Sequence, residues 1–246
     1  MTALGGAATL LPLLLALPVG SFAGLLADRL PRGEPVLAGR SSCRSCGAVL
    51  GVPDLVPVLS WLLLRGRCRH CAAPIGADPL AVEMAALGLA AAAVSVLPET
   101  LVWPGCMLGW LLLALGLADL RHMLLPDALT LPLGLLGVTL ALVGGPVGVA
   151  ASLIGAGVGF AVLGSVMLGH RHLRGFDGMG LGDVKLLAAG GTWVGWQGLP
   201  MVVLVATLGT LLVALVTTRC RVGRDLAVPF GPGLASGIWV SFVLQA

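Results

Sequence analysis

Two aspartates stand where an otherwise apolar chain carries charge. Asp119 directly ends an apolar run, and Asp183 follows the alternating glycines of "GMGLGDVK" and enters another apolar run. An acid at the end of a membrane span usually faces a protein interior or a watery cavity, because an unpaired charge in lipid is costly. Two such carboxylates, if they meet, favour sharing one proton, so that one acts as base and the other as acid. That pairing would prepare a water molecule for attack on a peptide carbonyl.

The spacing by itself leaves the identity of the pair open. Asp127 and Asp177 lie in the same two polar links, and solvation at the interface beside nearby Arg and His explains them well. Glycines at positions 178, 180 and 182 remove side-chain bulk ahead of Asp183, which permits close helix approach and unusual backbone angles. Lys185 either snorkels to the cytoplasmic interface or, as a positive charge beside an aspartate, lowers the pKa of that carboxyl. A proton-coupled transporter could use the same residues as a relay.

Four cysteines form two Cys-x2-Cys pairs, and we interpret them as a structural zinc site. The pairs are separated by residues 47–67, a spacer that lets the chain return as a small ribbon and present four thiolates to one Zn²⁺ ion. The alternatives are two disulfides, which the cytoplasm disfavours, or free thiols. His70 is a conceivable substitute ligand, whereas Cys106 and Cys220 are expected to be ordinary apolar residues. The predicted ligands are Cys43, Cys46, Cys68 and Cys71.

The elements that must position these groups are membrane helices. Of the 246 residues 58% are hydrophobic and only 10% are charged, whereas a soluble domain carries about 25% charged residues. The fold class predicted is an all-α polytopic membrane protein of about eight transmembrane helices, with a small cytoplasmic four-cysteine loop resembling a zinc ribbon. The spans are predicted near 4–26, 80–97, 101–118, 127–144, 146–169, 184–199, 200–217 and 229–245, with "GLP" separating the sixth from the seventh.

The basic residues predict the orientation of these spans. All 14 Lys and Arg side chains fall on one side of an eight-span arrangement, and the opposite loops hold one acid, Glu99, and no base. By the positive-inside rule the basic side is cytoplasmic and both termini lie outside. No base precedes the first span, the reverse of a secretory signal, so we expect a retained helix. Three segments follow: a first helix at 1–27, a cytoplasmic cysteine-rich loop at 28–79 and a transmembrane core at 80–246.

These motifs together resemble the prepilin peptidases, a family of membrane aspartyl proteases. The resemblance covers nearly the whole chain and includes "GSF" (20–22), "PVLSWLLLRGRCRHC" (57–71), Glu83, "DLRHMLLPDALTLPL" (119–133), "GMGLGDVKLLAAGG" (178–191) and "FGPGLASG" (230–237). The chain differs from the family pattern at Gly24 and at Asp78-Pro79-Leu80. Both differences lie at the edges of the cytoplasmic loop.

The resemblance implies an activity, a site and partners. Asp119 and Asp183 match the family's catalytic aspartates. Such enzymes remove the leader of type IV prepilin or pseudopilin precursors after a glycine, on the cytoplasmic side of the bacterial inner membrane. Many members then methylate the new N-terminus with S-adenosylmethionine, for which the sequence assigns no binding residues. In related proteins the cysteine loop is similar to a zinc-binding element, and the segment 28–79 is a candidate for the methyl-transfer role.

Three alternatives accompany this interpretation. A proton-coupled transporter with a zinc-stabilised loop predicts charges near mid-membrane and inverted repeats, and neither is seen in the sequence. A peptidase without methylation and a non-catalytic scaffold for pilus assembly are the other two. We expect the lipid bilayer and pilin-like precursors as partners and no nucleic acid, and the sequence is silent on oligomeric state.

Overall fold

A computed structural model describes residues 3–36, 38–174, 180–218 and 228–246. Asp177 and Cys220, both considered above, lie outside the described residues. The chain divides into two compact units, Met1–Trp110 and Leu111–Ala246. Helices dominate both units, so the predicted all-α membrane class is confirmed.

The first unit contains the N-terminal helices and the cysteine loop. Helix α1 (Ala3–Arg29) runs into a short 3-10 turn at Leu30–Arg32. The loop contains a second 3-10 turn at Val52–Asp54 and the short helix α2 (Leu59–Leu63). Helix α3 (Asp78–Val96) begins with an acid and a proline, both favourable in a first turn.

The second unit contains the helices that carry the two aspartates. The boundary between the two units falls after Trp110, within helix α4 (Glu99–His122), which ends in basic residues. It is followed by helices that are largely apolar along their length: α5 (Asp127–Leu142), α6 (Val149–Arg174), α7 (Leu181–Thr218) and α8 (Gly231–Gln245).

Five of the described helices are long and apolar enough to cross a membrane, namely those at 9–32, 78–96, 99–122, 149–173 and 181–216. Helices α5 and α8 are apolar but shorter, with 16 and 15 residues. Each of the eight predicted apolar segments coincides with helix.

One predicted boundary is wrong. The sixth and seventh segments are separated at Gly195, not at "GLP" (198–200), which is helical. Gly195 has φ 64° and ψ 177°, a conformation that strains any residue with a β-carbon, so the helical path of α7 breaks there. The proline at position 200 lies close to the start of the second helical part, where a missing N–H costs little.

Small residues let the helices of each unit approach closely. In the first unit a β-carbon on Gly20 of α1 would lie 2.8 Å from Ala86 Cβ and 2.9 Å from Glu83 Cα on α3. The Trp110 indole N–H donates to the Ala86 carbonyl at 3.1 Å. Contacts of this kind let two helix backbones approach closely even where the helices have no amphipathic pattern. Close packing through small residues is usual between membrane helices.

Helix α7 packs against α5, α6 and α8, which fixes its N-terminal half. Gly191 of α7 lies against Gly155 of α6 so closely that neither position has room for a β-carbon. The Trp193 indole N–H donates to the Leu133 carbonyl at 2.8 Å, and its ring meets Phe242 edge to face at 5.7 Å. The half of α7 that begins with Asp183 is therefore held from three sides.

Candidate active site and metal centre

Asp119 and Asp183 line one cavity of about 770 Å³ in the second unit. Asp119 lies in the last turn of α4 and Asp183 in the first turn of α7, and the two carboxylates are close enough for their charges to interact. The cavity is completed by residues 123–125, Asp127, Gly180 and residues 228–230. The structure thus brings together the two acids that the resemblance selected, and Asp127 lines the same cavity.

The Asp119 carboxylate is held by the start of α8. It is 7% exposed, and its Oδ2 accepts a hydrogen bond from the backbone N–H of Gly231 at 2.8 Å. A β-carbon at position 231 would lie 2.6 Å from Asp119 Oδ2 and 2.9 Å from its Cγ. Only glycine therefore allows the α8 backbone to reach this carboxylate.

The Asp183 carboxylate is incompletely satisfied. Its Oδ1 is buried and has no hydrogen-bond partner within the described part of the chain. Its backbone N–H donates to the Gly180 carbonyl at 3.2 Å, which closes the turn that begins α7. Buried polar atoms are nearly always hydrogen-bonded, so this oxygen is suited to receive a water molecule or a ligand in the cavity.

Lys185 and Asp127 form an ion pair at the rim of the same cavity. Lys185 Nζ lies 2.8 Å from both carboxylate oxygens of Asp127, and the two side chains are 38% and 56% exposed. Such an exposed pair contributes about 0–1 kcal/mol to stability. Asp127 is thus engaged with a cation, which distinguishes it from the buried Asp119 and the half-buried Asp183.

The four loop cysteines converge as predicted. Their sulfur atoms all lie within 4.8 Å of one another, and the Cys43 and Cys71 sulfurs are 3.8 Å apart. A zinc ion with four sulfurs at ~2.3 Å in a tetrahedron separates those sulfurs by ~3.8 Å. The described cysteines are unbridged, and His70 does not belong to the cluster. The cluster could therefore bind a metal ion through four sulfurs.

Two equivalent tight turns produce this convergence. Gly47 N–H donates to the Cys43 carbonyl at 2.9 Å, and Ala72 N–H donates to the Cys68 carbonyl at 3.0 Å. Gly47 and Ala72 both have positive φ, at 72° and 56°, so the chain reverses after each Cys-x2-Cys pair. Isolated bridges Ser42–Val49 and Arg67–Pro74 close the two turns.

The backbone also prepares one of the thiols for metal. The N–H groups of Cys46 and Ser45 point at Cys43 and lower the pKa of its thiol to about 6. At Cys71 the Ala73 N–H favours the thiolate, but hydrogen bonds with the other thiols outweigh it and raise the pKa to about 11. Metal ligation requires the thiolate form, which the Cys43 turn already favours.

Two features of these sites were not predicted from the sequence. The "FGPG" motif at 230–233 was noted for its resemblance, but nothing local indicated that Gly231 supports Asp119. Glu83 was noted in the same way, and the structure shows that it is 5% exposed and accepts the Val58 N–H at 2.7 Å. In both cases the partner lies more than twenty residues away along the chain.

The helices, the acidic cavity and the four-cysteine cluster define a polytopic helical membrane protein with a zinc-ribbon-like element. The chain belongs to the type IV leader peptidase family. The family model described as "Type IV leader peptidase family" matches residues 106–215. A second family model, described as "Bacterial Peptidase A24 N-terminal domain", matches residues 14–97. These two matches fall on either side of residues 98–105.

Several relatives are named "Prepilin leader peptidase/N-methyltransferase". The chain is 42% identical over 212 residues to the protein of that name from Burkholderia pseudomallei (strain 1026b), covering 85% of this chain and 69% of the relative. It is 41% identical to the Aeromonas hydrophila protein, covering 85% and 72%, and 35% identical to the Stutzerimonas stutzeri protein, covering 94% and 89%. No solved structure matches the chain.

Proposed function

We propose that this chain is a membrane-embedded aspartic endopeptidase that removes the leader of type IV prepilin or pseudopilin precursors. The observation that carries the proposal is the meeting of Asp119 and Asp183 in one cavity, from the end of one helix and the start of another. Membership of the type IV leader peptidase family supports the substrate class. The transporter alternative expects acids near mid-span, whereas these acids lie in terminal turns.

In the proposed mechanism the two aspartates share one proton. The ionised member takes a proton from a water molecule, whose oxygen attacks the scissile carbonyl carbon. The protonated member donates a hydrogen bond to the carbonyl oxygen and later gives a proton to the leaving amine as the C–N bond breaks. The unsatisfied Asp183 Oδ1 is the atom best suited to hold the water.

The position of the cavity fits a substrate with one apolar helix and a polar leader. The cavity opens among helix ends, and no atom of the described residues lies closer than 3.8 Å to where a β-carbon on Gly180 would stand. We propose that an extended peptide passes beside Asp183 in this cavity of about 770 Å³. By the positive-inside rule the basic residues favour a cytoplasmic location for this end of the helices, which supports our proposal of cleavage after glycine at that face.

Co-expression with candidate prepilins tests this function directly. The precursor should lose its leader in cells that contain this chain and keep it in cells with empty vector. The mass of the new N-terminus, measured after purification of the mature pilin, should identify cleavage after glycine. It should also show whether one methyl group has been added. A panel of prepilins that all remain full-length would contradict the proposal.

We further propose that the four cysteines bind a structural zinc ion. Four sulfurs leave no open coordination position, so such an ion would fold the loop and take no part in hydrolysis. Cytoplasmic exposure of the loop is consistent with thiolate ligands.

Replacing one ligand should remove the metal. We expect the purified chain to hold close to one zinc ion, and Cys43→Ser to lose most of it, because three sulfurs bind zinc more weakly than four. Elemental analysis measures the zinc, and limited proteolysis within residues 38–76 should become faster as the loop unfolds. Cys106→Ser, a buried cysteine outside the cluster, is the matched control and should retain the metal. Equal zinc content in the two variants would exclude the four-cysteine cluster as the zinc site.

The name shared by the relatives supports a second activity. We propose that the N-terminal unit, with its cysteine-rich loop at 28–79, transfers a methyl group from S-adenosylmethionine to the new N-terminal amine. Peptide hydrolysis would then use residues of the second unit and methyl transfer residues of the first.

A further inference from the structure

A second cavity lies wholly within the first unit. Its volume is about 420 Å³, within the range of ~300–1,000 Å³ that is usual for small-molecule and cofactor sites. It is formed by the end of α1, the cysteine loop, α2 and the start of α3. Its lining includes the hydroxyls of Ser21, Ser42 and Ser60 and the indole of Trp61.

Most acids in this cavity already have a cation. The pairs differ in separation but each joins an acid to an arginine: Asp28 to Arg44 at 2.6 Å, Asp54 to Arg69 at 2.6 Å and Glu34 to Arg32 at 3.9 Å. Arg29 also lines the cavity, but its guanidinium donates to the carbonyls of Pro35 and Gly39 and so holds the loop.

Glu83 is the exception. It lines the cavity at 5% exposure, and its Oε2 accepts the Val58 N–H at 2.7 Å. Among the described residues no Lys, Arg or His lies within ion-pair distance of this carboxylate. Buried charges are normally paired, because desolvation without a counter-charge is costly. The Glu83 carboxylate is therefore suited to pair with a cationic group of a ligand bound in the cavity.

The surroundings hold Glu83 firmly. Gly20 of α1 packs directly on the Glu83 backbone, so the helix cannot shift without a clash. Val58 reaches the carboxylate in a conformation of φ 60° and ψ −52°, which is unusual for a β-branched residue. Trp61 is fixed as well, because its indole N–H donates to the Gly76 carbonyl at 2.6 Å.

We propose that this cavity binds S-adenosylmethionine and that Glu83 is the counter-charge for its sulfonium. The proposal rests on the methyl-transfer function proposed above. The donor carries a positive sulfur, an aromatic base and hydroxyl groups, and the cavity offers an unpaired carboxylate, an indole and serine hydroxyls. When bound, the donor supplies a methyl group whose C–S bond breaks as the lone pair of the substrate's deprotonated amine forms an N–C bond, releasing neutral S-adenosylhomocysteine and, from the methylated amine, a proton.

Glu83→Gln tests the proposal because it keeps the shape and can still accept the Val58 hydrogen bond. We expect the purified full-length variant to bind S-adenosylmethionine about tenfold more weakly, as for one charge-assisted contact. Its affinity for S-adenosylhomocysteine, which has no charge on sulfur, should change less than about twofold. Isothermal titration calorimetry measures both constants. Glu99→Gln removes an exposed acid of the first unit that does not line this cavity, and it should leave both constants near those of the unsubstituted protein.

Two outcomes would overturn the assignment. Unchanged S-adenosylmethionine binding in Glu83→Gln, even with slower methylation, would mean that the carboxylate faces another cation such as the substrate amine. Equal weakening for both ligands would mean that Glu83 contacts a group that the two ligands share, such as the α-ammonium or a ribose hydroxyl, and not the sulfonium. If Glu83→Gln cannot be purified, Ser60→Phe fills the cavity without a charge change and should abolish binding of both ligands; retained binding there would also overturn it.

The same samples separate this inference from the peptidase proposal. Glu83→Gln should still cleave prepilin and retain its zinc, which shows that it is folded. Asp183→Asn should bind S-adenosylmethionine with the affinity of the unsubstituted protein while losing cleavage. If cleavage is absent in every sample but the ligand still binds through Glu83, the peptidase proposal fails and this one stands.

Discussion

Asp119→Asn and Asp183→Asn should each reduce leader cleavage by about 10²- to 10⁴-fold, the usual contribution of a group that transfers protons in the transition state. Asparagine has nearly the same shape as aspartate, so insertion in the membrane should be unaffected. The double variant should be no worse than either single one, because residues that act as a unit have strongly non-additive effects. Cleavage of a cognate prepilin by each variant, compared at equal membrane content, measures the effect.

Asp127→Asn is the matched control for these variants. It makes the same change on the rim of the same cavity, but Asp127 is 56% exposed and paired with Lys185. Because an exposed pair is worth about 0–1 kcal/mol, cleavage should change by less than about fivefold. Near-normal processing by Asp119→Asn or Asp183→Asn, or severe loss in Asp127→Asn, would show that the wrong pair has been assigned.

Gly231→Ala should impair cleavage almost as strongly without touching a carboxylate. The added methyl group would stand 2.6 Å from Asp119 Oδ2, so either the carboxylate or the start of α8 must move. A displacement of about 1 Å at a catalytic group costs about 10²-fold in rate. The loss should appear in kcat, with KM for the prepilin little changed, because the substrate's apolar helix still has its binding surface.

A substitution at a second glycine serves as the matched control, and it distinguishes a loss of Asp119 positioning from general damage to the fold. Gly157→Ala lies in α6, where no atom of the described residues would lie within 4 Å of the new methyl group, so cleavage and stability should be preserved. In Gly231→Ala, overpacking costs about 1–3 kcal/mol, which thermal unfolding in detergent measures. Normal cleavage by Gly231→Ala would mean that the α8 contact does not position Asp119. Unfolding of the variant at the assay temperature would instead mean that the contact between Gly231 and Asp119 is needed for the stability of the fold.

The family resemblance selected Asp119 and Asp183 out of four candidates, and among the described residues the structure shows how Asp127 differs from Asp119. Asp127 looks equivalent in sequence, yet it lies at the exposed rim with Lys185, whereas Asp119 is buried under α8. Of the two alternatives for Lys185, one placed it beside an aspartate, but the sequence did not name Asp127 as the partner because that residue comes from another helix. The predicted position of the break in α7 was wrong for a different reason. "GLP" has the residues of a turn, but the backbone angles of Gly195 interrupt the helix instead.

The sequence by itself determined the membrane class, the positions of the apolar helices, the four-cysteine element and the candidate acids. Each depends on composition or on spacing within a short segment. Only the tertiary structure decided that Gly231 supports Asp119 across 112 residues. It also decided that Glu83 lines a cavity in which no cation of the described residues lies within ion-pair distance of it. The physical reason is that these helices are apolar on nearly every side. Lipid is as apolar as a helix interface, so periodicity cannot tell which face meets which neighbour, and that choice is made by close packing of small residues.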